Sequence, residues 1–214
     1  MSHASQALNS SSAQSYFAAL MEKVPAKYRQ ARLPVPYSSD CFMSAEKHAK
    51  VQSGLLELLE KNQHQSLIIY GPPGFGKTTY MAAVFAEAAK RQSIEREMGQ
   101  GVTTKLYWFD LGVWQQETAA HQFGRRVTAP EVTVEVLKRN REFSYTPCLF
   151  IDEFDKVSDK DHLIQYVNPL VRSAYDNNCR MVITTNLTRD EFAQRFDVHI
   201  NRRIEERCAA VELE

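Results

Sequence analysis

The chain has 214 residues, enough for one full α/β core with a short extension but too few for a second large domain. Hydrophobic residues at 43% and charged residues at 24% exclude wholesale disorder, and 26 basic against 26 acidic residues leave a formal net charge of +0, excluding a global field that draws the chain to nucleic acid or anionic lipid. With no apolar run of membrane-spanning length and no basic-then-apolar leader, the chain reads as cytoplasmic, and its four cysteines, Cys41, Cys148, Cys179 and Cys208, with no C-x-x-C pair, read as structural thiols.

Residues 1–13 are rich in Ser, Ala, Gln and Asn without apolar periodicity and are expected to be disordered. Over residues 14–24, Tyr16, Phe17, Leu20, Met21 and Val24 recur at helical spacing, which predicts a short amphipathic helix packed on its own domain or docked on a partner. We therefore divide the chain into an extension over 1–23 and one domain over 24–214. A basic turn-and-helix segment over 24–33 is closed by Pro34 and Pro36. Ser44 is a candidate N-cap for a helix to Lys61, and Leu67, Ile68, Ile69 and Tyr70 form the first expected strand.

That strand runs directly into Gly71, Pro72, Pro73, Gly74, Phe75, Gly76, Lys77 and Thr78, a complete G-x-x-x-x-G-K-[ST] phosphate-binding loop, followed by Thr79. Backbone N–H groups can ring phosphate oxygens only where the chain bends tightly and no side chain blocks the approach, which accounts for the glycines. Lys77 opens a helix whose N-terminus favours anions, its ammonium can reach the β- and γ-phosphates of ATP, and Thr78 offers a hydroxyl to Mg²⁺.

The helix is expected to end near Gln92, with Met98, Gly99, Gln100 and Gly101 breaking the pattern; Leu106 to Phe109 predict the second strand and residues 110–142 a polar, mostly helical stretch. Trp108 and Trp114 read as core. Cys148, Leu149, Phe150 and Ile151 predict a strand buried on both faces and ending in Asp152 and Glu153. Downstream of a phosphate loop, that pair is the second half of an ATPase site: Asp152 for the metal, Glu153 to polarise the attacking water. A helix over 160–177 and a strand over 181–185 follow. Asn186, at the strand's tip, either contacts the γ-phosphate as a sensor or stabilises the next turn. Two helices then lead to a closing strand over 209–213. On the second, Arg203 and Arg207 share a face and suit either a neighbour's ATP or i,i+4 pairing with their own helix.

Phosphate loop, Ile151-Asp152-Glu153, Thr184-Thr185-Asn186 and Arg203-Ile204 with Glu206-Arg207, in this order, resemble the AAA+ ATPases, and within them the DnaC-type helicase loaders and IstB-type transposition helpers. Residues 24–29 are similar to the segment these families place before the core, and the likeness extends over 24–213. It implies a three-layer α/β/α P-loop fold with a mostly parallel five-stranded sheet and no C-terminal helical lid, Mg²⁺–ATP as cofactor, and assembly into a ring or filament. By this resemblance Lys77 and Thr78 are the phosphate-loop pair, Asp152 and Glu153 the metal and water residues, and Asn186 the sensor. Arg203 is the finger that completes a neighbour's site, with Arg202 as the competing choice and the role of Arg207 open. The implied client is a replicative helicase; a transposase partner or a nucleotide-dependent interaction switch are the alternatives. The chain before Val24 is too short for the larger helicase-docking domain of the best-known loaders. The basic residues Arg125, Arg126, Lys138, Arg139 and Arg141 lie where these families face single-stranded or duplex DNA, with solvated helix surface as the other reading.

Overall fold

A computed structural model of the chain describes residues 10–38, 43–61, 65–101, 104–113, 146–157 and 167–213. The basic stretch with Arg125 and Arg126, Trp114, and the first half of the helix expected over 160–177 lie outside the described residues.

Helix α1 (Ser11–Met21) starts earlier than its periodicity predicts, because Ser10 caps it by accepting from Ala13 N–H at 3.1 Å and Ala13 is itself buried. Leu20, Met21 and Val24 enter the core, so of the two expected fates the helix takes packing on its own domain. A 3₁₀ turn (Ala26–Tyr28) follows, then α2 (Ala45–Lys61), whose predicted cap Ser44 accepts from Lys47 N–H at 3.3 Å. Strand β1 (Ser66–Tyr70) leads through the phosphate loop to α3 (Lys77–Glu97). This helix outruns its expected end near Gln92: Gln92 and Ser93 are still buried, Ser93 folds its hydroxyl onto the Ala89 carbonyl at 2.8 Å, and the helix stops only where Gly99 turns left-handed at φ 69°.

Strands β2 (Thr104–Asp110) and β3 (Thr146–Asp152) come next, then a 3₁₀ turn (Phe154–Lys156) and α4 (Asn168–Asp176). Strand β4 (Arg180–Thr184) is followed by α5 (Arg189–Arg195), set by a full capping box between Thr188 and Glu191, then α6 (Val198–Arg207), capped by Asp197, and β5 (Cys208–Glu212).

The five strands form one sheet in the order β2-β3-β4-β1-β5, every pairing parallel. A parallel sheet needs both faces covered, and the period-two pleat divides its apolar runs between two cores. Leu67, Ile69, Cys148, Phe150 and Val182 pack with α1, α2 and α3 on one face; Ile68, Tyr70, Leu149, Ile151, Met181 and Ile183 pack with α4, α5 and α6 on the other. Trp108 lies against the first core, stacked on Phe150. Cys148, Cys179 and Cys208 are free, and burial pushes their thiols up to about 11, about 11 and about 12, out of reach of ordinary thiolate chemistry. Among the described residues no helix is long and apolar enough to cross a membrane.

Candidate active site

The C-terminal ends of β1, β3 and β4 meet at one edge of the sheet, where an α/β fold opens a crevice. A cleft of about 340 Å³ lies there, lined by Pro73, Gly74, Gly76, Lys77, Thr78 and Thr79 of the loop and α3, by Asp152, Glu153 and Lys156 after β3, by Thr184, Thr185 and Asn186 after β4, and by Tyr28.

Gly71, Gly74 and Gly76 all take positive φ, where another residue is strained, and two of them show what the glycine permits. Gly71 has φ 140°, and a Cβ there would stand 2.5 Å from the Leu213 carbonyl oxygen, a chain held close by the hydrogen bond from Leu213 N–H to the Tyr70 carbonyl at 2.9 Å. Gly76 caps α3 in the left-handed conformation at φ 79°. Phe75 packs against the core rather than lining the cleft. Lys77 is only 7% exposed, and its Nζ donates to the carbonyls of Gly71 and Pro72 at 2.6 and 2.7 Å. Burial lowers its pKa, opposed by the carboxylates of Asp155, Asp152 and Glu153. A charged ammonium held by two carbonyls at the head of a helix is a group ready to turn onto a phosphate.

Asp152 Oδ1 accepts from Thr184 Oγ1 at 2.5 Å, from Thr78 Oγ1 at 3.1 Å and from the Glu153 N–H at 3.2 Å. Burial pushes its carboxyl up to about 6, against the pull of the Thr184 and Thr78 hydroxyls. A carboxylate destabilised by burial, with a loop hydroxyl within 3.1 Å, is an oxygen donor set suited to a hard divalent cation such as Mg²⁺, which keeps waters and phosphate oxygens in its remaining positions. Thr78 and Asp152 would hold it; once bound, it would neutralise charge on the phosphates.

Glu153 sits at φ 53°, a left-handed conformation that costs a non-glycine residue on the order of 1 kcal/mol. Its N–H donates to Thr184 Oγ1 at 3.0 Å as well as to Asp152, and its carbonyl accepts from Lys156 N–H at 2.9 Å, so the strained turn is fixed at both ends. A Cβ on Gly112 would lie 3.3 Å from Glu153 Oε2 and 3.3 Å from Asp110 Oδ1, so these two carboxylates converge across that glycine.

Asn186 does line the cleft, but its side-chain Nδ2 donates to Asp155 Oδ2 at 3.0 Å while its N–H donates to Asp155 Oδ1 at 2.7 Å. Its amide plane is set by Asp155, a residue the sequence reading passed over. Asp110 and Gly112 were passed over in the same way, and Thr184 was named only as part of the motif that ends in Asn186, although the third acid of Asp152-Glu153-Phe154-Asp155 was a visible signal. The structure brings together the loop, Asp152, Glu153 and Asn186. It does not bring Arg203 to them: Arg203 is half-buried on α6, donates to the His199 carbonyl at 3.0 Å, and lies 5.8 Å from the Tyr175 ring.

An all-parallel 2-3-4-1-5 sheet with a phosphate loop after β1 and paired acids after β3 defines a P-loop nucleotide-binding protein of the α/β class. The sequence profile of the ATPase family associated with various cellular activities (AAA) matches residues 67–208, and the chain belongs to that family. No curated protein sequence matches it. Among solved structures, a protein assigned as a primosome component of Streptococcus pyogenes serotype M3 has a TM-score of 0.59 at 16% identity, over 92% of this chain and 96% of that one. DnaI gives 0.60 at 16% identity over 88% and 93%, and the DnaC helicase loader 0.55 at 15% over 89% and 100%. At such identities the likeness is one of fold.

Proposed function

We propose that this chain binds and hydrolyses Mg²⁺–ATP and uses that cycle as a DnaC-like helicase loader in DNA replication. The observation that carries the ATPase part is the convergence of Lys77, Thr78, Asp152, Glu153 and Asn186 on one cleft at the carboxyl edge of the sheet. In this reading the loop N–H groups and Lys77 cradle the phosphates, and Thr78 with Asp152 holds the cation. Glu153 orients the attacking water and takes its proton, while Asn186, braced by Asp155, reads the γ-phosphate. Residues 24–214 act as the ATPase module and 1–23 as an extension whose helix rests on it. Subunits assemble into a ring or filament so that Arg203 reaches the neighbour's ATP, and Arg125 and Arg126 contact single-stranded DNA.

The loader part is supported by fold likeness to DnaI and the DnaC helicase loader over nearly the whole of both chains. Its test is a pull-down from the source cell's extract with immobilised Glu153→Gln protein and ATP, a combination that holds the ATP-bound state. Recovery of a replicative helicase with ATP but not with ADP is expected. Recovery of a transposase in its place would move the protein to the transposition helpers.

A further inference from the structure

Tyr28 reaches the cleft from outside the sheet, on the 3₁₀ turn that follows α1, and this turn is held on every side. Lys23 donates from Nζ to the Leu106 carbonyl of β2 at 2.8 Å. Arg29 donates from Nε to the Val24 carbonyl at 2.9 Å and from Nη2 to the Glu22 carbonyl at 3.1 Å. The N–H of Tyr28 donates to the Pro25 carbonyl at 2.9 Å, and the Tyr28 carbonyl accepts from Ala31 N–H at 2.9 Å. The turn rests on α3, and the Tyr28 side chain packs against the core shared by α1 and α3. Tyr28 is thereby fixed relative to the cleft, which it lines together with Thr78, Thr79, Asp152, Glu153 and Lys156.

Lys27 is seated on this ring, its Nζ 4.7 Å from the Tyr28 centroid, with almost all of its side chain in water. Its pKa is raised, by Tyr28 first and by the charges of Asp152 and Glu153 last, and its position is set by the Tyr28 ring, which lines the cleft. A cation–π seat restricts an otherwise free lysine and directs its charge.

We propose that Lys27 and Tyr28 complete the nucleotide site from within the same subunit: Tyr28 closes the cleft beside Thr78 and Thr79, and Lys27 presents its ammonium to the terminal phosphate of ATP. This rests on the ATP-binding reading and adds a residue pair that separates ATP from ADP. Because the ammonium stays hydrated, its effect is that of a half-screened ion pair, roughly three- to tenfold in affinity.

The test titrates a fluorescent non-hydrolysable ATP analogue and a fluorescent ADP, each with Mg²⁺, into the parent, Lys27→Ala, Lys27→Arg, Tyr28→Ala and Lys77→Ala proteins. Lys27→Ala should weaken the ATP analogue about three- to tenfold and ADP by less than about twofold. Lys27→Arg should stay near the parent, and Tyr28→Ala should reproduce the loss of discrimination. Unchanged affinities in Lys27→Ala, or equal losses for both nucleotides, would overturn the proposal while loss of binding in Lys77→Ala upheld the site itself. Parent-like binding by Lys77→Ala would instead overturn the ATP site, and this inference with it.

Discussion

Asp152 is 4% exposed, and burial pushes its carboxyl up to about 6, above the 3.8 of an unburied aspartate. Since the folded-state pKa exceeds the unfolded one, folding favours the protonated acid. That contribution is fully present below about pH 4 and lost as pH rises through about 6. In nucleotide-free protein at neutral pH, Asp152 is thus a buried charge that costs stability. Asp152→Asn, which retains an acceptor for Thr184, should stabilise the nucleotide-free protein at pH 7 to 8 by up to about 3 kcal/mol while removing Mg²⁺-dependent turnover. Urea unfolding of parent and variant between pH 5 and 8 checks this, the gap widening with pH; a gap independent of pH would assign the buried charge elsewhere. Asp152 and Glu153 could be found by reading the sequence because their chemistry is spelled in adjacent residues after an apolar strand. Asp155 and Tyr28 could not, because what gives each a place is tertiary: Asp155 meets Asn186 across 31 positions, and Tyr28 lines the cleft from a turn held on α3 and tied by Lys23 to β2.

On α6 the three candidate arginines differ in what already holds them. Arg202 is paired with Glu206 at 2.7 Å. Arg207 donates to Asn178 and to the Tyr175 carbonyl at 3.5 Å, its guanidinium 5.0 Å from the Tyr175 ring, and so ties α6 to α4. Arg203 donates to the His199 carbonyl of its own helix and lies 5.8 Å from the Tyr175 ring, a longer ring contact than that of Arg207, so its guanidinium is the least tied of the three. Turnover per subunit should therefore rise with protein concentration, and Arg203→Ala should bind ATP but hydrolyse it slowly. Mixing Arg203→Ala with Glu153→Gln should recover activity at interfaces that join an intact Glu153 to an intact Arg203. Monomeric, concentration-independent turnover would falsify a finger in trans. Element types were legible from periodicity, but ends were not always so. The extra turns of α3 depend on burial of Gln92 and Ser93, polar residues that an amphipathic template assigns to solvent.

At the scale of the molecule, the apolar run of β3 announced a strand buried on both faces, and the two cores bear that out in the alternation of Phe150 with Ile151, which Leu67 and Ile68 repeat on β1. Local pattern contains no information on strand order. That β4 inserts between β1 and β3 is a fact of the tertiary structure, and the resemblance to AAA+ proteins implied only a mostly parallel five-stranded sheet. This insertion puts Thr184 against Asp152 and thereby joins that acid to the strand that leads to Asn186. The whole arrangement is a claim about hydrolysis. Its most direct measurement is steady-state phosphate release by the parent, Lys77→Ala and Glu153→Gln proteins, with nucleotide affinity determined on the same preparations. We expect release from the parent and neither binding nor release from Lys77→Ala. Glu153→Gln should keep near-parent affinity with turnover reduced about 100-fold or more. Parent-rate phosphate release by Glu153→Gln would contradict the assignment of this cleft as the catalytic site.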